Sequence, residues 1–460
     1  MGRSIGNTYK VSKEQNTPGI ERRRFRPYPE YKDSGVEWLG EIPMHWEARR
    51  LKFVLSAPLK YGANEAAELE ELDLPRYVRI TDIDENDSLR DETFKSLPDE
   101  VAKEYLLREG DILFARSGAT AGKTFLYRKT WGTCAYAGYL IRARLNNEIA
   151  FPEFIRFFTS SLGYWQWLAS VFIQATIQNV SAERYASLSL PLPALSEQHT
   201  IAVFLDRETA KIDALIEKKE RLIDLLHEKR TALITQAVTK GLDPTVPTKD
   251  SGVEWLGIIP ALWEAYRIKS LTKEHKQGFY TEQTYIDEGV KLARISDIDD
   301  RANIHFDNMP YVSIDSKDEC TFRLLEGDIL FARSGTIGRF GIVCGTERAV
   351  FASYLIRFRF SKVHVEFLRY AFDSKYFKDS LVSSLHGGAN QNVHAENIKA
   401  LTIALPPRDE QPKITAYLLR ETAKIDTLVA KVYEAIDRLK EYRTALISAA
   451  VTGKIDVREA

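Results

Sequence analysis

The chain has 460 residues, which exceeds a comfortable single domain, so we expect two or three hydrophobic cores. Its hydrophobic fraction of 44% and charged fraction of 28% are typical of a soluble globular protein. A net charge of −1 excludes a strongly basic, freestanding DNA-binding domain. Any contact with DNA must therefore rest on local basic loops or on help from a partner.

The chain begins with a polar segment of mixed charge. It lacks the apolar stretch of a secretory signal, and no run of about 20 apolar residues could span a bilayer. The three cysteines, Cys134, Cys320 and Cys344, lie far apart without a CxxC pair, so we expect neither disulfides nor structural zinc. These features predict a cytoplasmic protein with a polar leader over residues 1–28.

A globular part with many short strands follows over residues 29–195. The segments DILFA at Asp111, YLIRARL at Tyr139 and LSLPLP at Leu188 are rich in β-branched, leucine and aromatic residues and predict strands. FPEFIRFFTS at Phe151 has helical spacing, and so does EFLRYAFDS at Glu366. We predict a mixed, mostly β domain here and another over residues 242–408.

A different pattern follows each globular part. Glu197 to Lys240 contains neither Pro nor Gly, and apolar residues step by threes, fours and sevens, as along a coiled coil. We predict a central coiled-coil helix over 196–241, a distal one over 409–455 and a tail over 456–460. The predicted contact positions are Ile201, Leu205, Ile212, Leu215, Leu222, Leu226, Leu233, Ile414, Leu418, Ile425, Leu428, Val432, Leu439 and Leu446.

The two globular parts and the two helices are copies of one another. DSGVEWLGEIPMHW at Asp33 returns as DSGVEWLGIIPALW at Asp250, and EGDILFARSG at Glu109 returns unchanged at Glu326. Shorter segments return in the same order, namely RITDID at Arg79 as RISDID at Arg294, YLIR at Tyr139 and Tyr354, QNV at Gln178 and Gln391, and RETAKID at Arg207 and Arg420. Such order predicts one duplicated fold with small loop insertions.

The order of the elements predicts how the copies are arranged. Each helix would be on the order of 65 Å long, and a helix with one apolar stripe needs a partner. The second helix must run back along the first if their apolar faces are to meet. We therefore predict an α+β fold in which two β-rich domains are joined by two antiparallel coiled-coil helices, with a pseudo-two-fold axis.

No segment carries a recognised catalytic element. Gly118 to Thr124 is similar to a phosphate-binding loop, but one residue too few separates its glycines and FLYRK after it predicts a strand. Its copy at Ser334 lacks the Lys-Thr pair. The chain also lacks a GxGxxG fingerprint, an NPPY-like adenine-methyltransferase element and an HExxH pair. We expect a chain without catalysis, metal or cofactor of its own.

With these features, the chain resembles the specificity subunit of a type I restriction-modification system. The segments that carry the resemblance are DSGVEWLGEIPMHW, EGDILFARSG, LPLPALSEQ at Leu190 with its copy ALPPRDEQ at Ala404, and RETAKIDALIEK with its copy RETAKIDTLVAK. Together they are specific, and they extend over nearly the whole chain from Tyr31.

The resemblance implies that each globular part is a target recognition domain that reads one half of a split site in double-stranded DNA. It also implies that the helices set the distance between the halves and dock two methyltransferase subunits, with restriction and translocase subunits joining a larger complex. S-adenosylmethionine, ATP and Mg²⁺ would be used by those partners. This chain would supply the sequence recognition.

Because the two domains would read different half-sites, residues that read bases are expected where the copies diverge. Shared residues are better suited to phosphate contacts or to holding loops, and ordinary surface charge remains the alternative for each position. The divergent candidates are Lys60, Tyr61, Lys123, Lys276, Gln277 and Arg339, and the shared ones are Arg116, Gln178, Asn179, Arg333, Gln391 and Asn392.

Two other functions remain open at this point. The chain could be a self-sufficient restriction enzyme or DNA methyltransferase, which S-adenosylmethionine binding by the isolated chain would reveal. It could also be a structural coiled-coil adaptor without DNA contact, although two elaborate β-rich domains would then be unexplained.

Overall fold

The computed structural model describes residues 25–84, 88–118, 120–173, 179–281, 284–335, 337–345, 347–385 and 392–459. The chain divides into two compact units. The first unit comprises Met1–Lys218 and Glu434–Ala460, and the second comprises Lys219–Tyr433. Each unit therefore contains one globular part and one portion of each of two long helices.

The globular part of the first unit mixes short strands and helices, and it is followed by the first long helix. The strands are β1 (Tyr31–Asp33), β2 (Glu41–Pro43), β3 (Glu47–Arg50), β4 (Leu55–Tyr61), β5 (Arg76–Val78), β6 (Ile112–Ala115), β7 (Thr124–Leu126), β8 (Cys134–Tyr136), β9 (Leu140–Leu145) and β10 (Ser189–Leu192). The helices are α1 (Asp99–Ala102), α2 (Pro152–Thr159), α3 (Leu162–Ile173), α4 (Ala182–Ala186) and α5 (Leu195–Lys240).

A four-stranded antiparallel sheet with the order β4-β9-β6-β7 forms the centre of this part. Successive side chains of a strand point to opposite faces, so the buried strand β6 serves two cores. Ile112 and Phe114 belong to a core that also contains Phe154 of α2 and Tyr185 of α4. Leu113 belongs to the core on the other face, with residues of the parallel pair β5-β8.

The second unit has most of these elements in the same order, together with one more short strand and one more short helix. Its strands are β11 (Thr248–Asp250), β12 (Ile258–Pro260), β13 (Glu264–Arg267), β14 (Thr272–Gln277), β15 (Val290–Ala293), β16 (Tyr311–Val312), β17 (Ile329–Ala332), β18 (Phe340–Ile342), β19 (Ala349–Phe351), β20 (Leu355–Phe360) and β21 (Thr402–Leu405). Its helices are α6 (Ile268–Leu271), α7 (Ser316–Phe322), α8 (Val365–Asp373), α9 (Lys375–Ser383), α10 (Ala395–Ala400) and α11 (Gln411–Val451). The central sheet has the order β14-β20-β17-β18, and β15 and β19 are parallel.

These elements confirm the predicted mixture of helix and sheet and the long helix after the first globular part. They also explain several repeated segments. In RITDID, the Arg79 guanidinium donates to both carboxylate oxygens of Asp82, at 3.0 and 2.7 Å. In RISDID, Arg294 makes the same contacts with Asp297, at 3.1 and 2.8 Å. The repeated arginine and aspartate therefore hold a turn.

A glutamate at the start of each long helix anchors the preceding globular part. The indole N–H of Trp46 donates to Glu197 at 3.2 Å, and that of Trp263 donates to Glu410 at 3.0 Å. The following glutamines, Gln198 and Gln411, accept from the backbone N–H groups of Phe151 and His364. The repeated Trp and Glu-Gln residues are thus structural.

Within each unit, the two long helices contact each other. In the first unit, Arg443 of α11 donates to Asp213 of α5 at 2.8 Å, and residues near both helix ends share one core. In the second unit, Arg230 of α5 lies 3.5 Å from Asp426 of α11. Most of the predicted contact positions are buried or half-buried, namely Ile201, Leu205, Ile212, Leu226, Leu233, Ile414, Leu418, Ile425, Val432, Leu439 and Leu446.

Three predicted contact positions are wrong. Leu215, Leu222 and Leu428 are 43%, 39% and 44% exposed, whereas the adjacent Ile223 and Val429 are buried. A straight α-helix drifts by about 20° per heptad relative to a strict seven-residue repeat. The buried face therefore moves away from positions that a fixed heptad assigns to it.

The predicted leader and tail are both too long. Phe25 packs edge-on against Phe204 of α5 at 5.4 Å between ring centroids, and Tyr28 is buried against Trp46. After α11, Val457 is also buried, and the N–H of Asp456 donates to the carbonyl of Arg26 at 2.7 Å. Aromatic and apolar residues within polar segments close this core, so the fold includes residues assigned to the leader and the tail. Residues 1–24 lie outside the described part of the chain.

Candidate nucleic-acid interface

Arg116 occupies the centre of a small polar surface in the first unit. It follows β6, and its guanidinium lies 4.8 Å from the centroid of the Tyr61 ring. Its Nε donates to the side-chain oxygen of Asn179 at 3.3 Å. The Arg116 carbonyl also accepts from the N–H of Val180 at 2.8 Å. The structure therefore brings together three predicted residues: Tyr61, Arg116 and Asn179.

Tyr61 is fixed at the end of β4. Its hydroxyl accepts a hydrogen bond from the N–H of Ala182 at 3.0 Å, and its ring packs against the core. Gly62 follows, where a Cβ atom would overlap the carbonyls of Tyr136 and Ala137. Only glycine permits this close backbone approach, so the Tyr-Gly pair sets the position of the ring.

The second unit repeats the backbone of this surface with different side chains. The Arg333 carbonyl accepts from the N–H of Val393 at 2.7 Å, and the Arg333 N–H donates to the carbonyl of Tyr354 at 2.9 Å. Gln277 stands where the first unit has Tyr61, as shown by its pairing with Ile356. Among the described residues, the Arg333 guanidinium makes neither a hydrogen bond nor a ring contact.

Lys60 and Lys276 are separated from these arginines. Neighbouring residues of a strand point to opposite faces, so Lys60 lies away from Tyr61. Its ammonium donates to the carbonyl of Glu104 at 2.8 Å and lies 4.6 Å from the Tyr105 ring centroid. Lys276 lies 5.1 Å from the ring centroid of Phe322. Both lysines pack on aromatic rings.

The next candidate pair differs in exposure. Lys123, in the loop before β7, is exposed. Arg339, before β18, donates to the carbonyl of Ile298 and lies 3.7 Å from Asp300. Lys123 is therefore more accessible to an external ligand than Arg339.

The shared polar candidates are only partly described. Asn179 and Asn392 are exposed, whereas Gln178 and Gln391 lie outside the described residues.

Tyr139 was not among the predicted residues. Its side chain is 66% exposed, and its carbonyl accepts a hydrogen bond from the N–H of Arg116 at 3.0 Å. Its signal was its place in the repeated YLIR segment, directly after a glycine.

Cys134 is a buried, free thiol of this unit. Burial raises the pKa of the Cys134 thiol to about 12, so the thiol stays protonated at neutral pH. β7 begins directly after Lys123, which confirms that the Gly118 segment leads into a strand.

In the described ranges, no three His, Cys, Asp or Glu residues are grouped so that they could hold a metal ion. No helix within those ranges is long and apolar enough to span a bilayer.

Comparison with known proteins gives the family. The family model for the type I restriction modification DNA specificity domain matches the chain twice, at residues 46–224 and 260–438. The two matches together cover well over half of the chain, and each lies within one copy of the repeat.

Curated relatives point to the same family. The chain is 25% identical over 430 residues to the type I restriction enzyme StySPI specificity subunit of Salmonella potsdam, with 90% of each chain covered. It is 24% identical over 319 residues to the EcoKI specificity subunit of Escherichia coli, with 67% of this chain and 66% of the relative covered. A third relative, the MjaVIII specificity subunit of Methanocaldococcus jannaschii, is 24% identical over 364 residues.

Solved structures show the same fold. A chain from a type I R-M system, solved to explain complex assembly and conformational transition, has a TM-score of 0.66 at 19% identity and covers 90% of this chain and 99% of its own. The HsdS subunit from Thermoanaerobacter tengcongensis has a TM-score of 0.53 at 18% identity, with 90% and 98% covered. The family predicted from the repeated segments is confirmed. The chain belongs to the family of DNA-binding specificity subunits of type I restriction-modification systems.

Proposed function

We propose that each globular part of this chain is a target recognition domain that reads one half of a bipartite site in double-stranded DNA. The two long helices set the spacing between the halves and dock two methyltransferase subunits. Restriction subunits, which are also the translocases, join the same complex. S-adenosylmethionine, ATP and Mg²⁺ are used by these partners, and the chain itself performs no catalysis.

Two ion pairs between the long helices, one in each unit, give the main support for this proposal. RETAKID places Asp213 on α5 and Asp426 on α11 at corresponding positions. Asp213 pairs with Arg443 of α11, and Asp426 lies close to Arg230 of α5. In each unit, the aspartate lies on the helix that follows the globular part, and the arginine lies on the other helix. Such an exchange is expected of two copies related by a pseudo-two-fold axis with antiparallel coiled-coil helices.

A second pair of contacts supports the same arrangement. In the first unit, the N–H of Leu162 donates to the Ser448 hydroxyl of α11 at 2.9 Å. In the second unit, the N–H of Lys375 donates to the Thr235 hydroxyl of α5 at 3.2 Å. Each globular part therefore rests on the helix that follows the other copy. The proposed two-fold symmetry would suit a duplex whose strands are themselves related by two-fold axes.

The polar surfaces support recognition of two different half-sites. Each unit places a shared arginine, Arg116 or Arg333, after corresponding strands, yet Tyr61 at the end of β4 corresponds to Gln277 at the end of β14. Arginine can donate two parallel hydrogen bonds to guanine or to phosphate, and a changed neighbour alters which contact it makes. The shared residues would position the duplex, and the divergent ones would distinguish bases.

Exposed leucines on the long helices support docking of two partner subunits. Leu215 of α5 and Leu428 of α11 occupy corresponding positions and are 43% and 44% exposed. Apolar side chains on the outside of a paired helix suit an amphipathic partner helix. Because one such leucine lies in each unit, two copies of the methyltransferase subunit would find equivalent sites.

A domain exchange tests the proposed reading of half-sites. Residues 33–195 are replaced by the matching segment of a relative with a different known site, and the methylated adenines are mapped in cells that carry the chimera and the methyltransferase. One half-site alone should change, while the other half and the spacing stay the same. Change in both halves would contradict the assignment of one half to each globular part.

The docking sites are tested by Leu215→Asp and Leu428→Asp, singly and together. Each single change should lower the number of bound methyltransferase subunits from two to one, and the double change should abolish binding, as measured by native mass spectrometry. Leu72→Asp is the matched control, since Leu72 is exposed and belongs to neither long helix. Full binding by the double variant would rule out this docking surface.

A further inference from the structure

We propose that Tyr61 is a positioning residue that holds Arg116 as a preorganised, two-pronged donor for DNA, and that the second unit lacks this support. The shared arginine would then make a stronger and more specific contact in one half of the site than in the other. This inference rests on the proposed function and deepens it, because it names one chemical contact of the first recognition surface.

The hydrogen bonds of Arg116 leave its outer edge available. A guanidinium has five N–H donors, and Arg116 uses the one on Nε for Asn179. Within the described part of the chain, its two terminal nitrogens make no hydrogen bond. Neither nitrogen is buried without a partner, so both can be reached from outside. Four N–H groups in a planar fork therefore remain for an acceptor pair of DNA, either the O6 and N7 atoms of guanine or two phosphate oxygens.

The charge of Arg116 is also unneutralised. Other arginines of this unit pair with carboxylates, such as Arg79 with Asp82 and Arg144 with Asp111. Among the described residues, no carboxylate lies within ion-pair distance of Arg116. An arginine with an aromatic ring on one face and no acid beside it keeps its positive charge for an external anion or acceptor.

The support around Arg116 reduces the freedom that it would otherwise lose on binding. Tyr61 is held by the hydrogen bond from Ala182, and Asn179 fixes the Nε side of the guanidinium. A side chain that is already ordered in its bound position binds more tightly, because less conformational entropy is lost. In the second unit, Gln277 offers no ring to Arg333, so the same residue is less ordered there.

The test uses the full chain with its methyltransferase subunits and a library of randomised duplex DNA. Selection with the wild-type complex gives its preferred sequence. The affinities of Arg116→Gln, Arg116→Lys, Tyr61→Gln and Tyr61→Phe for that duplex and for a scrambled duplex are then measured at several salt concentrations. Arg49→Gln is the control, because Arg49 is exposed and, among the described residues, forms an ion pair with its neighbour Glu47 alone.

We expect Arg116→Gln and Tyr61→Gln to weaken binding to the selected duplex by about ten-fold or more, within the range of one bidentate contact. Tyr61→Phe keeps the ring beside Arg116 and loses only the hydrogen bond from Ala182, so it should weaken binding by about three-fold or less, which is less than Tyr61→Gln does. If Arg116 contacts guanine, both Arg116→Gln and Arg116→Lys should lose the preference for that base at one position of one half-site. A phosphate contact would appear as equal weakening on both duplexes, with the salt slope reduced by about 1 in Arg116→Gln.

The inference is overturned if Arg116→Gln binds both duplexes like wild type, or if Tyr61→Phe loses as much affinity as Tyr61→Gln. Thermal melting checks that each variant is folded, and if Tyr61→Gln unfolds, Arg116→Gln and Tyr61→Phe decide the outcome. If the wild-type complex selects no bipartite sequence, the proposed function itself fails. Selection of a bipartite sequence that the variants bind equally well would remove this inference alone.

Discussion

The two units have the same framework but neutralise their buried arginines differently. In the second unit, Arg357 is 1% exposed and contacts Glu274 of β14, with Asp328 at 3.9 Å from its Nε. In the first unit, the corresponding Arg142 is buried, and no carboxylate of the described residues lies within ion-pair distance of it. The matching stretch of β4 reads Ala57-Pro58-Leu59 and contains no acid.

This difference shows which contacts of the central sheets are shared by the two units and which are not. Asp111 and Asp328 come from the repeated EGDILFARSG segment, and each accepts hydrogen bonds from an arginine of the neighbouring strand, Arg144 or Arg359. The edge strands β4 and β14 are free to diverge because this shared pair keeps the central sheets alike. The same divergence at the strand ends gives Arg116 a tyrosine and Arg333 a glutamine.

The largest expected effect is a loss of stability at the shared aspartates. Asp111→Asn leaves the largely buried Arg144 without its carboxylate and should destabilise the first unit by about 3 kcal/mol. Asp328→Asn should cost the second unit less, because Glu274 still pairs with both Arg357 and Arg359. Hydrogen exchange with mass spectrometry measures the opening of each unit separately, and a larger loss for Asp328→Asn would contradict the comparison.

A smaller effect is expected where the globular parts join the helices. Glu197 accepts hydrogen bonds from Tyr28 at 2.7 Å and from Trp46, and lies 2.9 Å from His45. Glu410 accepts from Trp263. Because more partners lose a charged acceptor, Glu197→Gln should cost about 2–3 kcal/mol and Glu410→Gln about 1 kcal/mol. Chemical unfolding of both variants measures this, and equal costs would show that the extra partners add no stability.

The smallest effect should appear at high pH. Burial raises the pKa of Tyr127 and of Tyr136 to about 12, from 10.0 for an exposed tyrosine. The folded state favours the neutral form of both tyrosines. The stability that depends on this form is therefore fully present below pH 10 and is lost as the pH rises toward 12. The corresponding residues of the second unit, Val343 and Phe351, do not ionise.

An alkaline titration followed by hydrogen exchange therefore distinguishes the units. Peptides of the first unit should lose protection above pH 10, and Tyr136→Phe should reduce this loss. Phe351→Tyr is the matched variant, since it places a buried tyrosine in the second unit and should make that unit more sensitive. Burial also raises the pKa of Tyr354 and Tyr370 in the second unit, so the units differ in degree, and equal sensitivity of both units in the wild-type chain would contradict that difference.

Much of the fold could be predicted from the sequence because its patterns are local. Alternating and β-branched runs predicted β6 and β9, and the spacing of FPEFIRFFTS predicted α2. The register along the long helices was less accurate, since a fixed heptad placed Leu222 inward where the helix buries Ile223. The burial of Tyr28 was also missed, because its partners Trp46 and Glu197 are distant in sequence.

The candidate site was predictable in its residues but not in their arrangement. Lys60 and Tyr61 are adjacent in sequence, yet strand alternation places only the tyrosine beside Arg116. The contact between Arg116 and Asn179 depends on how two distant segments pair. Such pairing follows from the whole sheet and has no signature in the sequence.

The central claim is that the two units read two halves of one DNA site. It is tested most directly by mapping methylated adenines in DNA from cells that carry this chain and its methyltransferase. The account predicts a bipartite motif with a fixed spacing and one methylated adenine in each half, on opposite strands. A single uninterrupted motif, or methylation of one strand only, would contradict it.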